Sequence, residues 1–344
     1  MSSLYSLEWS CLASQIGFVS TLTVNSFLVY LILRHTKQVF GAYKYLIVAF
    51  SVMGILFATA EFIVKPASVD TTVTLSAYSS TYAATISLLA VQFVYRYWAV
   101  FHTRRIAHFN GVRILAWVSV AMLFGVDWSS SVYFLGMSDA FSDEYLSAEF
   151  ADKYNLNMST LAYFAAVVYD QPEKRIRWRS VMVMVSVSKV VAIQYAVMIF
   201  CGTRMHRKMG EKLEQFSITN RRMHQQLFKT LVVQITVPTF VLFMPTMLMF
   251  LVPFFDWSIG VATGTILCAL SLYPFIDGII VICIVSDYRK ATKEILQSLI
   301  FGITCQRVVV VQPQKYDIST SAANETIRRA NRVESSTRFT ASSF

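Results

Sequence analysis

Charge is scarce in this chain: Asp, Glu, Lys and Arg make up 15% of its 344 residues, against 55% apolar residues. A mean hydropathy of +0.52 is too high for a soluble domain with a polar surface. Histidine is scarcer still, and all five, His35, His102, His108, His206 and His224, fall between the apolar stretches. A zinc hydrolase of the membrane needs His and carboxylates at matching depth, so neither an enzyme nor a metal cofactor is expected. Three of the five cysteines, Cys201, Cys268 and Cys283, lie inside or at the ends of apolar stretches, where a thiol behaves as a small apolar residue. The loops after the second and fourth stretches hold none, which excludes a disulfide bracing them. A basic n-region is missing from the first eleven residues, so the first stretch should insert as an anchor rather than be cleaved. No internal repeat is visible, against the duplicated bundles of many carriers, and the alternation of a membrane barrel is absent.

What is abundant is apolar length. Seven stretches run Leu12 to Leu33, Tyr45 to Val64, Ser76 to Val100, Ile114 to Gly136, Val181 to Gly202, Thr230 to Val252 and Gly260 to Val285. About 20 mostly apolar residues at 1.5 Å rise cross a hydrocarbon core roughly 30 Å thick. With no water to satisfy backbone groups in lipid, such runs must be helices. The expected fold is all-α: a polytopic membrane protein, a seven-transmembrane helix bundle. Its parts are an extracellular N-terminus over 1–11, the bundle over 12–285, an amphipathic juxtamembrane helix over 286–304 and a disordered cytoplasmic tail over 305–344.

The formal charge of +10 is distributed as topology, not as a nucleic-acid surface, which would need a continuous basic patch. Arg34, Lys37 and Lys44 follow span one, Arg104, Arg105 and Arg113 follow span three, and seven basic residues from Arg204 to Lys229 follow span five. On the other side the loop after span two has Lys65 alone. The positive-inside rule therefore puts the N-terminus outside and the C-terminus in the cytoplasm. The loop from Met137 to Ser180 carries five basic residues but is 44 residues long, and loops of that length vote weakly. It contains the sequon Asn157, Met158, Ser159, so Asn157 is a candidate glycosylation site. A second triplet at Asn324 lies in the cytoplasmic tail and should stay bare.

Beyond Val285 the pattern changes. Tyr288, Ala291, Thr292, Ile295, Leu296, Leu299, Ile300 and Ile303 recur at helical spacing among Arg289, Lys290, Lys293, Glu294 and Gln297. That is an amphipathic helix suited to the inner leaflet of the lipid bilayer. Cys305 follows it and is a candidate for palmitoylation. The Ser-, Thr- and Arg-rich remainder has too little apolar content to fold.

Charged residues inside spans are expensive and usually functional. They are Glu61 in span two, Arg96 at the inner end of span three, Asp127 in span four, Lys189 in span five and Asp277 in span seven. Asp127 and Lys189 lie at similar depth on neighbouring spans, so an ion pair is one reading and two separate roles another. The outer half of span three, with Tyr78, Ser79, Ser80, Thr81, Tyr82 and Thr85, is polar and aromatic enough to line a cavity, or to hydrogen-bond between helices. Pro238 and Pro245 in span six and Pro274 in span seven favour kinks.

Three segments, in order, carry a resemblance: Phe93 to Val100 closing span three, Gln226 to Lys229 leading into span six, and Leu272 to Asp277 in span seven followed by Asp287, Tyr288 and Arg289. Over roughly residues 10 to 300 the chain resembles the nematode Str chemoreceptor family, the seven-transmembrane group that includes the diacetyl odorant receptor. Gly278 follows Asp277 where members often have Pro. The resemblance implies a G-protein-coupled receptor at the sensory cilium of a chemosensory neuron. It would bind a small-molecule odorant or soluble chemical in an outward-facing cavity and activate a heterotrimeric G protein. Candidate ligand-binding residues are Glu61, Tyr78, Tyr82, Lys189 and Met244. Arg96, with Tyr95 and Tyr97, resembles the arginine that rhodopsin-like receptors place where span three meets the G protein. Tyr95 here stands where the usual acidic neighbour would be, and Gln225, Gln226 and Lys229 offer no carboxylate from span six. A resting state is therefore expected to be held by other contacts, for which Tyr95 and Tyr97 are candidates. The alternatives are a seven-span ligand-gated cation channel, with its N-terminus inside, or a carrier.

Overall fold

A computed structural model of the chain describes residues 2–35, 41–64, 72–136, 168–170, 175–214, 217–240 and 263–309. Two compact units are present, Met1–Thr292 and Lys293–Phe344, and every contact described below belongs to the first. Its helices are α1 (Ser2–His35), α2 (Tyr43–Ile63), α3 (Thr72–Phe101), α4 (Arg113–Leu135), α5 (Trp178–Leu213), α6 (Ile218–Pro238) and α7 (Thr263–Ile284). Helix α8 opens at Ser286 in the first unit and ends at Val309 in the second. A 3-10 helix, Thr103–Phe109, joins α3 to α4. Two short strands, β1 (Tyr169–Asp170) and β2 (Arg175–Ile176), pair antiparallel ahead of α5 and leave the class all-α.

Five helices, α1 to α5, are long and apolar enough to cross a membrane. Helix α7 qualifies together with α8, and the chain turns by 96° between them. The described part of α6 reaches Phe240, and Met244, Pro245 and the sequon at Asn157 lie outside the described residues. Helix α1 begins at Ser2, ten residues before the predicted span, and its membrane-crossing portion is Leu12–His35. The first sixteen residues contain no Gly or Pro to stop it. At the other end α8 continues through Cys305 to Val309, beyond the expected boundary at 304.

Helix α3 is the axis of the bundle. It packs against α2, α4, α5 and α6, while α1 closes the ring between α2 and α7. Of its apolar window, 78% is buried, against 22% for α4, so α3 reads as core and α4 as a peripheral helix facing lipid. Small residues set the closest approaches. A Cβ on Gly125 would meet the Ser80 carbonyl oxygen at 2.9 Å, so this glycine lets α4 lie directly on α3. A Cβ on Gly278 would meet Val24 at 2.9 Å, so this glycine lets α7 lie against α1. Pro238 closes regular α6, and wider π-type hydrogen bonding follows at Thr239 and Phe240. Pro274 lies within α7; its carbonyl accepts a hydrogen bond from Asn25 Nδ2 of α1 at 3.1 Å.

Candidate functional site

The inner end of α3 carries the most unusual side chain in the bundle. Arg96 is 3% exposed and faces no carboxylate among the described residues. Its guanidinium carbon stands 3.5 Å from the centroid of the Tyr43 ring of α2 and 5.7 Å from that of Tyr95. Tyr43 in turn stacks on Tyr95, with centroids 5.3 Å apart, and donates to Gln92 Oε1 at 3.2 Å. A planar cation over a desolvated ring is attracted by the ring quadrupole, by about 2 kcal/mol in favourable cases. Among the described residues, Arg96 Nε and Nη2 have no hydrogen-bond partner. Tyr97 points elsewhere: its ring lies 5.6 Å from His102 and 5.9 Å from Phe200 of α5.

Around this arginine the end of the bundle is built from rings. Phe109, from the 3-10 helix, meets Tyr95 at 5.0 Å and stacks on Trp117 of α4 at 4.6 Å, while Trp98 meets both Phe109 and Trp117. Trp117 Nε1 donates to the His108 carbonyl at 3.2 Å and ties the same turn to α4. On the α6 side, His224 is buried, six residues before the span that opens at Thr230. Burial, aided by the positive charge of Arg96, holds its imidazole down at about 4, so it is neutral at pH 7. Ser217 caps α6 by accepting from the Asn220 amide at 3.4 Å. Gln226 Oε1 accepts from both the Ser286 hydroxyl and its amide, clasping α6 to the start of α8. Thr219, Arg222, Met223, Asp287 and Lys290 line a groove of about 340 Å³ beside this clasp.

At mid-depth Asp277 of α7 is buried. Its Oδ2 accepts from Gln234 Nε2 of α6 at 2.8 Å, and its Oδ1 has no partner among the described residues. The carboxyl borders a cavity of about 10 Å³, room for one water, shared with Asn25, Gly54, Tyr82, Thr85 and Tyr273. One side chain thus links α6 to α7 in the region where both helices carry proline.

In the outer half, Glu61 of α2 accepts a short hydrogen bond from Ser271 Oγ of α7. One turn deeper, Phe57 packs on Tyr78 at 5.3 Å and on Tyr82 at 6.4 Å, and Tyr82 meets Trp128 of α4 edge-on at 5.9 Å. Rings from α2, α3 and α4 therefore form one aromatic wall, and Glu61, one turn above Phe57, joins it to α7 through Ser271. Lys189 does not join it. Its Nζ lies 3.1 Å from Asp127 Oδ2, with 51% and 44% of the two side chains exposed, on the outer seam between α4 and α5.

The sequence did not single out Tyr43, Gln92, Gln234, Asn25 or Ser271. Gln92 had a signal, four residues before Arg96 and so one turn away on the same face. Gln234 and Asn25 were polar residues in apolar runs, which alone warrants attention. Tyr43 and Ser271 had none, because their partners come from distant segments.

A helix bundle with several span-capable helices, a buried arginine closing its third span, an aromatic wall toward one end and a groove at the other is the framework of a polytopic membrane protein. The chain belongs to the Str family of serpentine type 7TM GPCR chemoreceptors, whose pattern it matches over residues 10–293. It is 38% identical over 307 residues to the G-protein coupled receptor str-33 of Caenorhabditis elegans, covering 82% of this chain and 89% of that relative. It is also similar to the serpentine receptor class r-10 of the same species, 28% identical over 334 residues, with 91% and 95% covered. The class r-10 receptor of Caenorhabditis briggsae matches at 28% over 301 residues, with 81% and 87% covered. Receptors of this family are not enzymes.

Proposed function

We propose that this chain binds a small odorant or soluble chemical against the outer aromatic wall and activates a heterotrimeric G protein at its cytoplasmic face. The single observation that carries the reading is Arg96, a buried cation held by an aromatic ring instead of a carboxylate. A cation–π contact is weaker than a buried ion pair, so binding energy from a small ligand suffices to release it. Ligand acts by binding one helix arrangement more tightly than the other. Glu61, Tyr78 and Tyr82, with Met244 of span six, are the residues assigned to contact it. Lys189, turned to the α4–α5 seam, contributes through the placement of its helix rather than by touching the ligand.

In the active arrangement the inner end of α6 moves away from α7 and α8, breaking the Gln226 to Ser286 clasp and widening the groove beside it. Arg96 is then free to donate to the G protein, with Tyr95 and Tyr97 shaping its surroundings. The orientation follows the basic loops: N-terminus outside, Asn157 glycosylated, and Cys305 available for palmitoylation at the inner leaflet. A plasma-membrane location at a sensory cilium accords with the family.

The test is a panel of volatile and water-soluble organic compounds applied to cells expressing the chain with an N-terminal epitope. Staining of intact cells and a calcium response abolished by blocking G proteins are expected. An epitope reached only after permeabilisation, with a cation current that survives the block, would instead make this protein a channel.

A further inference from the structure

The Asp127 to Lys189 pair has a location that the receptor mechanism leaves unexplained. Asp127 lies eight residues from Leu135 at the outer end of α4, about 12 Å along the helix. A pair that deep and roughly half exposed meets hydrocarbon, although charged groups in membranes normally face the bundle interior or a water-filled cavity. Lipid headgroups do not reach this depth. A second polar contact, Ser131 Oγ to Ser186 Oγ at 2.7 Å, continues the same seam one turn away.

The flanking residues form two apolar stripes. On α4, Leu123 and Phe134 are 65% and 68% exposed on the face that carries Asp127. On α5, Met182, Val185 and Ile193 are 54%, 61% and 43% exposed, and with Lys189 they recur at i, i+3, i+7 and i+11. This is the spacing of a helix-packing stripe with one charge at its centre, and a lone polar position in such a stripe fixes register and partner at helix interfaces.

We infer that the α4–α5 seam is the contact face for a second copy of this chain, in a two-fold dimer within the membrane. The pair is self-complementary. Rotation by a half turn about an axis normal to the membrane sets Asp127 of one copy against Lys189 of the other, and the reverse, giving four alternating charges that leave none facing lipid. Two copies also cover each other's apolar stripes. The inference stands apart from ligand binding and G-protein coupling.

Photobleaching of the fluorescently tagged chain at low surface density should show predominantly two steps; predominantly single steps would overturn the dimer. The interface is tested by charge exchange, Asp127→Lys with Lys189→Asp, which keeps the pair within each copy. Wild type should associate with wild type and exchanged chain with exchanged chain, as read by energy transfer between tags. The mixed pairing opposes like charges and should fall to the level of an unrelated membrane protein. Equal transfer in all three combinations would overturn the interface. Should the exchanged chain fail to reach the surface, Asp127→Asn with Lys189→Gln gives the second reading. Loss of two-step bleaching at unchanged surface density supports the seam, and its retention overturns it.

Discussion

Arg96 of α3 holds its guanidinium carbon 3.5 Å from the centre of the Tyr43 ring of α2, and the Tyr43 ring in turn stacks on Tyr95 with centroids 5.3 Å apart. In the proposed mechanism the strength of the Arg96 to Tyr43 contact, about 1 kcal/mol or more, sets how far the resting state is favoured. Tyr43→Leu removes the ring and should raise ligand-independent signalling about fivefold where the active state is rarely populated. Tyr43→Phe keeps the ring, loses the hydroxyl's contacts with Gln92 and Arg96, and should stay nearer wild type than Tyr43→Leu. Basal signalling per surface receptor is the measurement, and equal behaviour of the two variants would separate the ring from the restraint.

How legible this was follows from the contacts themselves. Seven apolar runs could be read directly, because lipid imposes one length and one secondary structure. Arg96 and Asp277 stood out as charges in apolar runs. Their partners did not: Tyr43 precedes the predicted second span by two residues, and Gln234 gives no sign in sequence of the helix that it faces. The pairing of Asp127 with Lys189 was one of two open readings by depth. That the pair lies on the outer seam depends on the rotation of α4 and α5 about their axes, which depth alone does not determine. Gly125 looked like any membrane glycine until α3 was laid against it.

Glu61 should set ligand sensitivity through its bond from Ser271. Ser271→Ala leaves the carboxyl without that donor, at a cost of about 1–3 kcal/mol. The half-maximal concentration of an active compound should rise about tenfold or more, with the maximal response retained. A fall in maximal response at unchanged sensitivity would assign this bond to coupling instead.

Helix packing predicts a contrast between two glycines. Gly125→Ala forces a methyl to within 2.9 Å of the Ser80 carbonyl, whereas Gly210 has nothing within 4 Å of its Cβ position. Gly125→Ala should lower the thermal midpoint of the solubilised receptor and its surface delivery. Gly210→Ala should leave both unchanged or slightly raised, since alanine is the better helix former by about 1 kcal/mol.

His224 predicts a dependence on pH. Its folded value of about 4 lies below the ordinary histidine value, so below about 6.5 the unfolded chain takes up a proton that the folded receptor refuses. This group therefore costs no stability above pH 6.5 and destabilises progressively as pH falls toward 4. Unfolding of the solubilised receptor between pH 7 and 5 should show a smaller drop in thermal midpoint for His224→Gln than for wild type. Parallel curves would place the imidazole in water.

The central claim is that ligand at the outer wall releases Arg96 to a G protein. It is tested most directly by guanine-nucleotide exchange on a G protein reconstituted with the receptor and the most active compound from the panel. Wild type should accelerate exchange on addition of that compound. Arg96→Ala, at equal receptor density and with ligand binding intact, should not. Compound-driven exchange that persists in Arg96→Ala would contradict the account.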